Sequence, residues 1–247
     1  DTVDIFHETG KGENLIQIGE DIRAGDQVLP KGKRLRSVDI GGLLALGISK
    51  IRVAKRLRVA LISSGNEIVE PWQPITLGQI RNINSYVVSA ELKKAGYDPI
   101  YYGISRDDLD SLKAVAKKAF DECEVVIITA GTSASHKDHA AEVISLLGKP
   151  GVLVHGIAFK PGKPTILALC DGKPVYGLPG NPMAAFVVTI LFVLPTLGAF
   201  IGSKFDVSRT WADGILDNDY RSEESREEWL PVQVLQKGEQ NLVRPIV

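Results

Sequence analysis

Val125-Val126-Ile127-Ile128-Thr129 is an unbroken run of β-branched residues, and this run decides the fold class. Such a run is typical of a strand that is covered on both faces, as strands are in the middle of a parallel sheet. Apolar residues recur at helical spacing before the run, over residues 109–120, and after it, over residues 140–147. The order helix, buried strand, helix predicts an α/β domain.

The same alternation extends over residues 55–200. Compact apolar runs predict further strands at Arg58–Ser63, Pro99–Ile104, Thr165–Cys170 and Val175–Leu178. A helical pattern covers Ser85–Ala95, and Asp171-Gly172 between the last two strands is a strong hairpin signal. We therefore predict a three-layer α/β domain with a mostly parallel sheet. In such sheets, ligands bind at the loops that leave the carboxyl ends of the strands.

The two regions that flank the α/β domain have a different sequence pattern. Short apolar segments separated by glycine-rich and charged turns predict strands at Thr2–His7, Asn14–Ile18 and Gln27–Leu29. A short helix that ends near Gly47 follows them. Near the other end, strands are predicted at Trp211–Leu216 and Trp229–Leu235. We predict three domains: a β-rich remnant over residues 1–54, the α/β domain over 55–200, and a truncated all-β domain over 201–247.

Composition narrows the classes of function. The net charge is −1 at pH 7, so we expect no nucleic-acid partner and no attraction to an anionic membrane. Cys123 and Cys170 lie far apart in the sequence, which argues against a disulfide framework or a thiolate metal site and fits a reducing cytoplasm. The apolar stretch Met183–Ile201 is nearly long enough to cross a bilayer, but Pro195 and Gly198 interrupt it. We expect it to be a core helix, within a cytoplasmic fragment of a longer protein.

Two loops carry candidate binding residues. After the first strand of the α/β domain, Ser64-Gly65 permits a close approach of backbone to ligand, and Glu67 is placed to hold a cation through water or a polar ligand edge. A solvated turn is the equally favoured alternative. Before the next helix, Asn82 and Asn84 offer either an N-cap or, with Arg81, part of an anion site at a helix start.

A third loop follows the central strand. The small residues of Gly131-Thr132-Ser133 leave backbone N–H groups free to cradle a phosphate. Asp138 would lie at the edge of that cradle, where a carboxylate suits Mg²⁺ bound by phosphates and waters. The alternative role for Asp138 is the N-cap of the following helix. His136 and His139 have a spacing compatible with zinc, but the sequence shows no further ligand, so we do not predict a zinc site.

A fourth region pairs a lysine turn with a loop at a helix start. Lys160-Pro161-Gly162-Lys163-Pro164 holds two lysines in a stiff turn, and fixed ammonium groups suit a small oxyanion. Gly180-Asn181-Pro182 begins the apolar helix, whose N-terminal dipole can face the same anion. A solvated turn is the alternative, but the apolar strands on both sides favour a binding function.

These loops, in this order, resemble the MoeA family, which includes the E domains of the plant molybdenum insertase and of gephyrin. The resemblance runs from Gly12-Glu13-Asn14 to Pro182, and its most specific part is the lysine turn followed by Leu178-Pro179-Gly180-Asn181-Pro182. It implies an elongated homodimer whose first domain is absent from this chain. It also implies the fold predicted above, of the molybdopterin-binding type.

By this resemblance the chain is an enzyme, a molybdopterin molybdenumtransferase. It would insert molybdate or tungstate into adenylated molybdopterin with Mg²⁺-dependent release of AMP, in contact with the molybdopterin adenylyltransferase. Asp138 and Glu67 match the family's catalytic acids, and Asp138 would also bind Mg²⁺, while Lys160 and Lys163 would hold the oxyanion. The implied pterin-binding residues are Ser64, Gly65, Asn82, Asn84, Gly131, Thr132, Ser133, Lys160, Pro161, Gly162, Lys163, Gly180, Asn181 and Pro182.

The sequence also departs from the family pattern. Amides replace the usual carboxylates at Asn66 and Asn82, which would weaken Mg²⁺ binding. Further departures are Ser64, Ala130, Ser135 and Ala184. Two alternatives therefore stay open: a non-catalytic pterin-binding or scaffold protein of the same fold, and a nucleotide-processing enzyme of the CinA or adenylyltransferase type.

Overall fold

The computed structural model describes residues 2–4, 6–8, 10–130, 139–203, 212–222, 224–238 and 240–246. The chain forms two compact units. The smaller unit comprises Asp1–Ile51 with Ser203–Phe205, and the larger comprises Arg52–Gly202 with Asp206–Val247. The division at residues 54 and 200 that the sequence suggested stays a prediction.

The smaller unit contains helix α1 (Ser37–Ala45). The helix ends at Gly47, which has a φ of 73°. Two hydrogen bonds close this end: Ile48 N–H donates to Leu43 O and Gly47 N–H donates to Leu44 O, each at 2.9 Å. This pair of bonds defines a Schellman ending, in which glycine takes the left-handed position. The predicted helix and its glycine stop are confirmed.

The strands predicted at Thr2–His7, Asn14–Ile18 and Gln27–Leu29 are absent among the described residues of these segments, so these strand predictions are wrong, while the N-terminal domain over residues 1–54 stays a prediction. Among the described residues before Arg58, the backbone forms turns, extended segments and helix α1 but no β-ladder. A strand needs a second strand to accept its backbone hydrogen bonds, and an apolar pattern alone does not supply one. The apolar side chains of the segment are correspondingly exposed, Phe6 to 93% and Ile16 to 82%.

The larger unit contains the α/β domain and the C-terminal strands. Its helices are α2 (Asn84–Ala95), α3 (Leu109–Glu122), α4 (His139–Leu146), α5 (Pro182–Val188) and α6 (Leu194–Phe200). Its strands are β1 (Arg58–Ser64), β2 (Ile68–Val69), β3 (Ile80–Arg81), β4 (Asp98–Ser105), β5 (Val125–Ala130), β6 (Pro150–His155), β7 (Phe159–Lys160), β8 (Ile166–Cys170), β9 (Lys173–Leu178), β10 (Ile215–Leu216), β11 (Glu227–Glu228), β12 (Val232–Lys237) and β13 (Gln240–Pro245).

The central sheet has the strand order β4-β1-β5-β9-β8-β6. Strands β4, β1, β5 and β9 run parallel, whereas β8 is antiparallel to both β9 and β6. The predicted mostly parallel sheet is therefore confirmed, with an antiparallel edge. The C-terminal strands form a separate sheet in the order β10-β13-β12, and two short parallel pairs join β2 to β3 and β7 to β11.

Helices cover both faces of the central sheet. On one face, Ala60 and Ile62 of β1 and Val126 and Ile128 of β5 pack with apolar residues of α3 and α4 in a single buried cluster. On the other face, α2 and α5 contact each other, and they contact β1 and β9 respectively. The β-branched run of β5 is fully buried from Val125 to Ile128, as expected for the middle of a parallel sheet.

The turn between β8 and β9 explains the antiparallel edge. Asp171 and Gly172 both have positive φ angles, of 45° and 80°. Positive φ at both central residues defines a type I′ turn, whose twist matches that of the two strands it connects. The predicted hairpin is confirmed.

The apolar segment after β9 forms one continuous helix, Pro182–Phe200, in which a π-helical stretch (Thr189–Val193) lies between α5 and α6. Within the described part of the chain, this helix alone has the length and hydropathy of a membrane span, with a mean hydropathy of 2.3. Length and composition are weak evidence for such a span. One side of the helix is buried, including Val188, Val193 and Leu197, and α5 packs on α2 and β9. This packing agrees with the predicted core helix.

Candidate functional site

The carboxyl ends of the parallel strands bring several of the predicted loops to one edge of the sheet. Ser64 at the end of β1 pairs with Ala130 at the end of β5, and Thr129 pairs with Leu178 at the end of β9. The loops that follow these strands therefore begin side by side. This edge is where open parallel sheets bind ligands.

A pocket of about 450 Å³ opens at this edge, beside α2 and α5. It is lined by Ile68, Ile75, Gln79, Ile80, Arg81, Asn82, Ile83, Asn84, Thr129, Gly180 and Pro182. Isoleucines supply most of the apolar wall, and a few polar groups converge on it, as in many small-molecule sites. The predicted residues Asn82, Asn84, Gly180 and Pro182 are thus brought together from two loops that lie about a hundred residues apart in sequence.

Asn84 connects these two loops directly. Its Nδ2 donates to Gly180 O at 2.9 Å and to Pro179 O at 3.5 Å. Its Oδ1 is buried and has no hydrogen-bond partner among the described residues. A buried acceptor without a partner costs free energy, which a ligand that donates a hydrogen bond would recover.

The first loop leaves β1 in a tight path. Gly65 has a φ of 157°, and a Cβ there would lie 2.9 Å from Cδ1 of Ile68 and 3.0 Å from Oε2 of Glu67, so the position has no room for a side chain. Ser64 is buried before it. Glu67 lies on the half-buried side of the loop, and its Oε1 is a second buried acceptor without a partner among the described residues. The solvated-turn alternative for Glu67 is therefore not what the structure shows.

Asn82 belongs to a polar cluster behind the pocket wall. Its Nδ2 donates to the phenol oxygen of Tyr101 at 2.7 Å, and Tyr101 donates to Oε1 of Glu70 at 2.8 Å. Tyr86 donates to the other oxygen of Glu70 at 3.0 Å. Burial and the Glu70 carboxylate raise the pKa of Tyr101 far above its usual range, so its hydroxyl stays protonated.

Neither asparagine is the N-cap of α2. That position is held by Ile83, which provides no side-chain cap. Asn82 Oδ1 accepts only a long contact of 3.5 Å from Ser85 N–H. Asn84 is turned toward Gly180 as described above. The capping alternative is therefore not met by Asn84, whereas Asn82 makes a long capping-type contact with Ser85 in addition to its bond to Tyr101. Arg81, considered as a phosphate fork, donates its Nε to Pro71 O at 3.0 Å.

The lysine turn lies at the same edge. Ile166, the first residue of β8, pairs with Gly177 near the end of β9, so the turn that precedes β8 lies beside the exit of β9. Nζ of Lys160 is 3.2 Å from Oε1 of Glu228, whereas Lys163 is exposed. Pro161, between them, is half-buried.

Gly162 is buried and holds the turn against α5. A Cβ there would lie 2.8 Å from Cγ2 of Val188. Thr165 fixes the turn by donating its hydroxyl to Gly162 O at 2.6 Å. The turn is therefore an ordered part of the unit and not a loose surface loop, although neither lysine lines the pocket.

The loop at the start of α5 combines two roles. Asn181 caps the helix, because its Oδ1 accepts from Ala184 N–H at 3.1 Å, and Pro182 takes the first helical position. Gly180 accepts from Asn84 and lines the pocket. The side-chain oxygen of Asn181 is thus used locally, while its neighbours on both sides face the pocket.

The third loop lies outside the described residues. Gly131, Thr132, Ser133 and Asp138 all belong to residues 131–138, so their predicted roles stay predictions. Thr129, just before this loop, lines the pocket. Over the described ranges, no group of three or more His, Cys, Asp or Glu side chains is arranged to hold a metal ion.

Besides apolar residues of the pocket wall, the sequence analysis missed three residues that make polar contacts with predicted site residues, directly or through one other side chain. Glu70 and Tyr101 hold Asn82, and Glu228 contacts Lys160. The contact between Glu70 and Tyr101 spans 31 positions. No local motif marks such a contact, because it depends on which strands become neighbours.

Comparison with known proteins agrees with this geometry. Residues 60–199 match the family described as "Probable molybdopterin binding domain". The molybdopterin molybdenumtransferase of Staphylococcus epidermidis is 36% identical over 192 residues, which are 78% of this chain and 46% of that protein. A putative molybdopterin biosynthesis protein of Methanocaldococcus jannaschii is 35% identical over 201 residues, covering 78% of this chain and 50% of that protein.

A solved structure also matches. The molybdopterin biosynthesis MoeA protein from Pyrococcus horikoshii superposes with a TM-score of 0.76 and 38% sequence identity, over 93% of this chain and 55% of that one. The chain spans about half the length of the curated relatives it matches. The chain therefore belongs to the molybdopterin-binding domain family and, within it, to the MoeA type.

Proposed function

We propose that this chain is the ligand-binding part of a molybdenum or tungsten insertase, which inserts the oxyanion into adenylated molybdopterin. One observation carries the proposal. Asn84, which lines the pocket at the carboxyl edge, has a buried Oδ1 with no partner among the described residues, and the same edge carries an ordered turn with two lysines. A pterin ring provides N–H donors for such acceptors, and a molybdate or tungstate ion suits ammonium groups.

We propose separate roles in pterin binding and oxyanion binding for the residues of the site. Asn82, Asn84 and the isoleucine wall would bind and orient the pterin. Lys163 and Lys160 would hold the oxyanion near the dithiolene, so that the new metal–sulfur bonds form in place. The electrostatic attraction that fixes the oxyanion costs little conformational entropy, because Gly162 and Thr165 already order the turn.

Magnesium fits part of this arrangement. Mg²⁺ is held by few carboxylates together with waters and phosphates, and Glu67 Oε1 is a buried carboxylate oxygen that lacks a partner among the described residues. We propose that Glu67 and Asp138 hold Mg²⁺ with the phosphates of the adenylated pterin. When bound, the ion would neutralise the charge that develops as AMP leaves. Amides at Asn66 and Asn82 make these two carboxylates the more important.

Assembly is proposed on the same family basis. We infer a homodimer, in the cytoplasm, that receives its substrate from a molybdopterin adenylyltransferase. Exposed apolar side chains on α1 support an interface there: Val38, Ile40 and Leu44 are exposed to 65%, 51% and 59%. Apolar groups this exposed on one short helix are typical of a surface that a partner covers.

The test uses the full-length protein, adenylated molybdopterin, Mg²⁺ and molybdate. We expect AMP release and metal incorporation by the parent protein, and loss of both when Lys160 and Lys163 are replaced together by Ala. Replacing Lys113 and Lys117, on the exposed side of α3, with Ala is the matched control for charge and should leave activity unchanged. The unfolding temperature should hardly move in the control variant, because exposed lysines contribute little stability. In the Lys160/Lys163 variant it should fall modestly, because the buried Glu228 carboxylate loses its ion pair with Lys160, so folding is checked before activity is compared.

A non-catalytic pterin-binding protein is the second candidate, and the departures at Asn66 and Asn82 favour it. That protein would bind adenylated molybdopterin with the same pocket but release no AMP. Tight binding without turnover by the full-length protein would therefore identify this alternative. A nucleotide-processing enzyme of the CinA or adenylyltransferase type would instead act on a nucleotide without any requirement for the lysine turn.

A further inference from the structure

A chain of hydrogen bonds runs from Glu70 to the pocket wall. Glu70 accepts from Tyr101 at 2.8 Å and from Tyr86 at 3.0 Å, one on each carboxylate oxygen. The Tyr101 oxygen accepts from Asn82 Nδ2 at 2.7 Å. Asn82 is 3% exposed and lines the pocket, whereas Glu70 does not reach it. Glu70 therefore touches the site only through other side chains.

Proton counting fixes the direction of each bond. A carboxylate has no proton to donate, so Glu70 can only accept, and the single hydroxyl proton of Tyr101 must be donated to Glu70. The Tyr101 oxygen can then act only as an acceptor. The amide of Asn82 must consequently turn its NH₂ group toward Tyr101, which turns its oxygen the other way. The 3.5 Å contact from Ser85 N–H is a weak partner for that oxygen, so at least one of its lone pairs is available to a ligand.

Asn84 has the same orientation for an independent reason. Its NH₂ group faces two backbone carbonyls, which can only accept, so Oδ1 is left as the group without a partner among the described residues. Two neighbouring amides that line one pocket thus each have their donor side occupied, while the acceptor side has a long contact in Asn82 and no partner among the described residues in Asn84.

We propose that Glu70 and Tyr101 are positioning residues that lock the Asn82 amide with its oxygen toward the pocket, and that Asn82 and Asn84 together select a ligand edge that carries N–H donors. The proposal rests on the proposed function and deepens it. Among ring systems related to the substrate, a pterin carries an amino group where a lumazine carries a carbonyl. A pair of locked acceptors should bind the first and reject the second, because two facing acceptors leave each other unpaired.

The test compares the affinities for pterin and lumazine by fluorescence titration of the full chain. We expect the parent protein to prefer pterin by about tenfold or more, the size expected for one buried polar group left unpaired. Tyr101→Phe removes the lock, so the amide can rotate to suit either ligand, and the preference should fall below about threefold. Tyr86→Phe removes the other hydroxyl bound to Glu70, leaves the bond from Tyr101 intact, and should keep the preference.

A ligand-free measurement accompanies the titration. The side-chain amide signals of Asn82, identified by their loss in Asn82→Asp, should exchange slowly with solvent in the parent protein and in Tyr86→Phe. They should exchange rapidly in Tyr101→Phe and in Glu70→Ala. An unchanged preference and unchanged exchange in Tyr101→Phe would overturn the proposal. If the parent protein bound neither ring, the proposed function would fail, and the exchange measurement would still decide whether the lock exists.

Discussion

Arg58 and Glu124 form a two-point ion pair at the start of the central sheet. Nη2 of Arg58 donates to Oε1 of Glu124 at 2.8 Å, and Nε and the backbone N–H of Arg58 donate to Oε2 at 3.2 and 2.8 Å. These hydrogen bonds from Arg58 lower the pKa of Glu124 to about 2, despite partial burial, which acts in the opposite direction. Because folding lowers the pKa of Glu124, the contribution of this pair to stability depends on pH.

We expect this contribution to be lost in acid. A carboxyl group whose pKa is lowered on folding stabilises the protein fully above its ordinary pKa, near 4.5, and loses that contribution as the pH falls toward 2. Allowing for solvent screening of a partly exposed pair, the loss should be about 1–2 kcal/mol. Urea unfolding at pH 6 and pH 2.5 measures it. Glu124→Gln should show a smaller drop between the two pH values, whereas Asp213→Asn, which removes an exposed carboxylate, should behave like the parent protein.

Glu228 is a residue whose charge bears on the lysine turn. Its carboxylate lies 3.2 Å from Lys160, so an oxyanion that binds to Lys160 competes with it. Glu228→Gln keeps the shape and removes the negative charge, and we expect molybdate affinity to rise by roughly three- to tenfold, a modest electrostatic gain at a half-exposed site. Calorimetric titration with molybdate measures the change. Glu227→Gln is the matched control from the same strand. An equal rise in molybdate affinity in Glu227→Gln would show that the change in net charge, and not the loss of the ion pair with Lys160, is the cause.

At the scale of elements, the lysine turn depends on one glycine. Gly162→Ala would place a methyl group 2.8 Å from Val188 of α5, at a φ of 134° that residues other than glycine rarely adopt. We expect a loss of about 2–4 kcal/mol of stability and a displaced turn with weaker oxyanion binding, because overpacking and backbone strain act together. Gly172 also has a positive φ, but a Cβ there would meet no atom within 4 Å. Gly172→Ala should therefore lower the stability by about 1–2 kcal/mol and leave oxyanion binding intact. Thermal unfolding and molybdate titration of both variants distinguish these outcomes.

The elements differ in how far the sequence could predict them. Strands β1 and β5 and the hairpin at Asp171-Gly172 were predictable because continuous apolar runs and turn residues are local signals. The predicted strands before Arg58 failed because strand pairing is not local, and no partner strand exists there among the described residues. In the site, the positions of the loops could be predicted from the parallel sheet. The hydrogen bond between Asn82 and Tyr101 and the ion pair between Lys160 and Glu228 could not be predicted, since each joins residues far apart in sequence.

For the whole molecule, the length of the chain sets an expectation about activity. It spans about half of its curated relatives. From the proposed function we expect that groups outside residues 1–247 complete the active site. We expect this chain alone to bind adenylated molybdopterin but to release AMP at least about a hundredfold more slowly than the full-length protein, because a misplaced or missing positioning group costs that much. Side-by-side assays at equal ligand saturation measure the ratio. Equal rates would show that the catalytic groups all lie within residues 1–247.

The π-helical stretch Thr189–Val193 has a consequence for how this protein can change in evolution. With 3.6 residues per turn, positions four apart advance by about 40° around an α-helix, so Ala185 and Leu197 would differ by about 120° in a regular helix. Both are nevertheless buried, because the wider π turn takes up part of that rotation. Deleting one residue from the stretch would let it close into a regular α-helix, in which Ala185 and Leu197, then eleven positions apart, differ by only about 20°. A single deletion within the stretch should therefore be tolerated, while a single insertion, or a deletion elsewhere in this helix, should not, because it rotates one buried face by about 100° relative to the other.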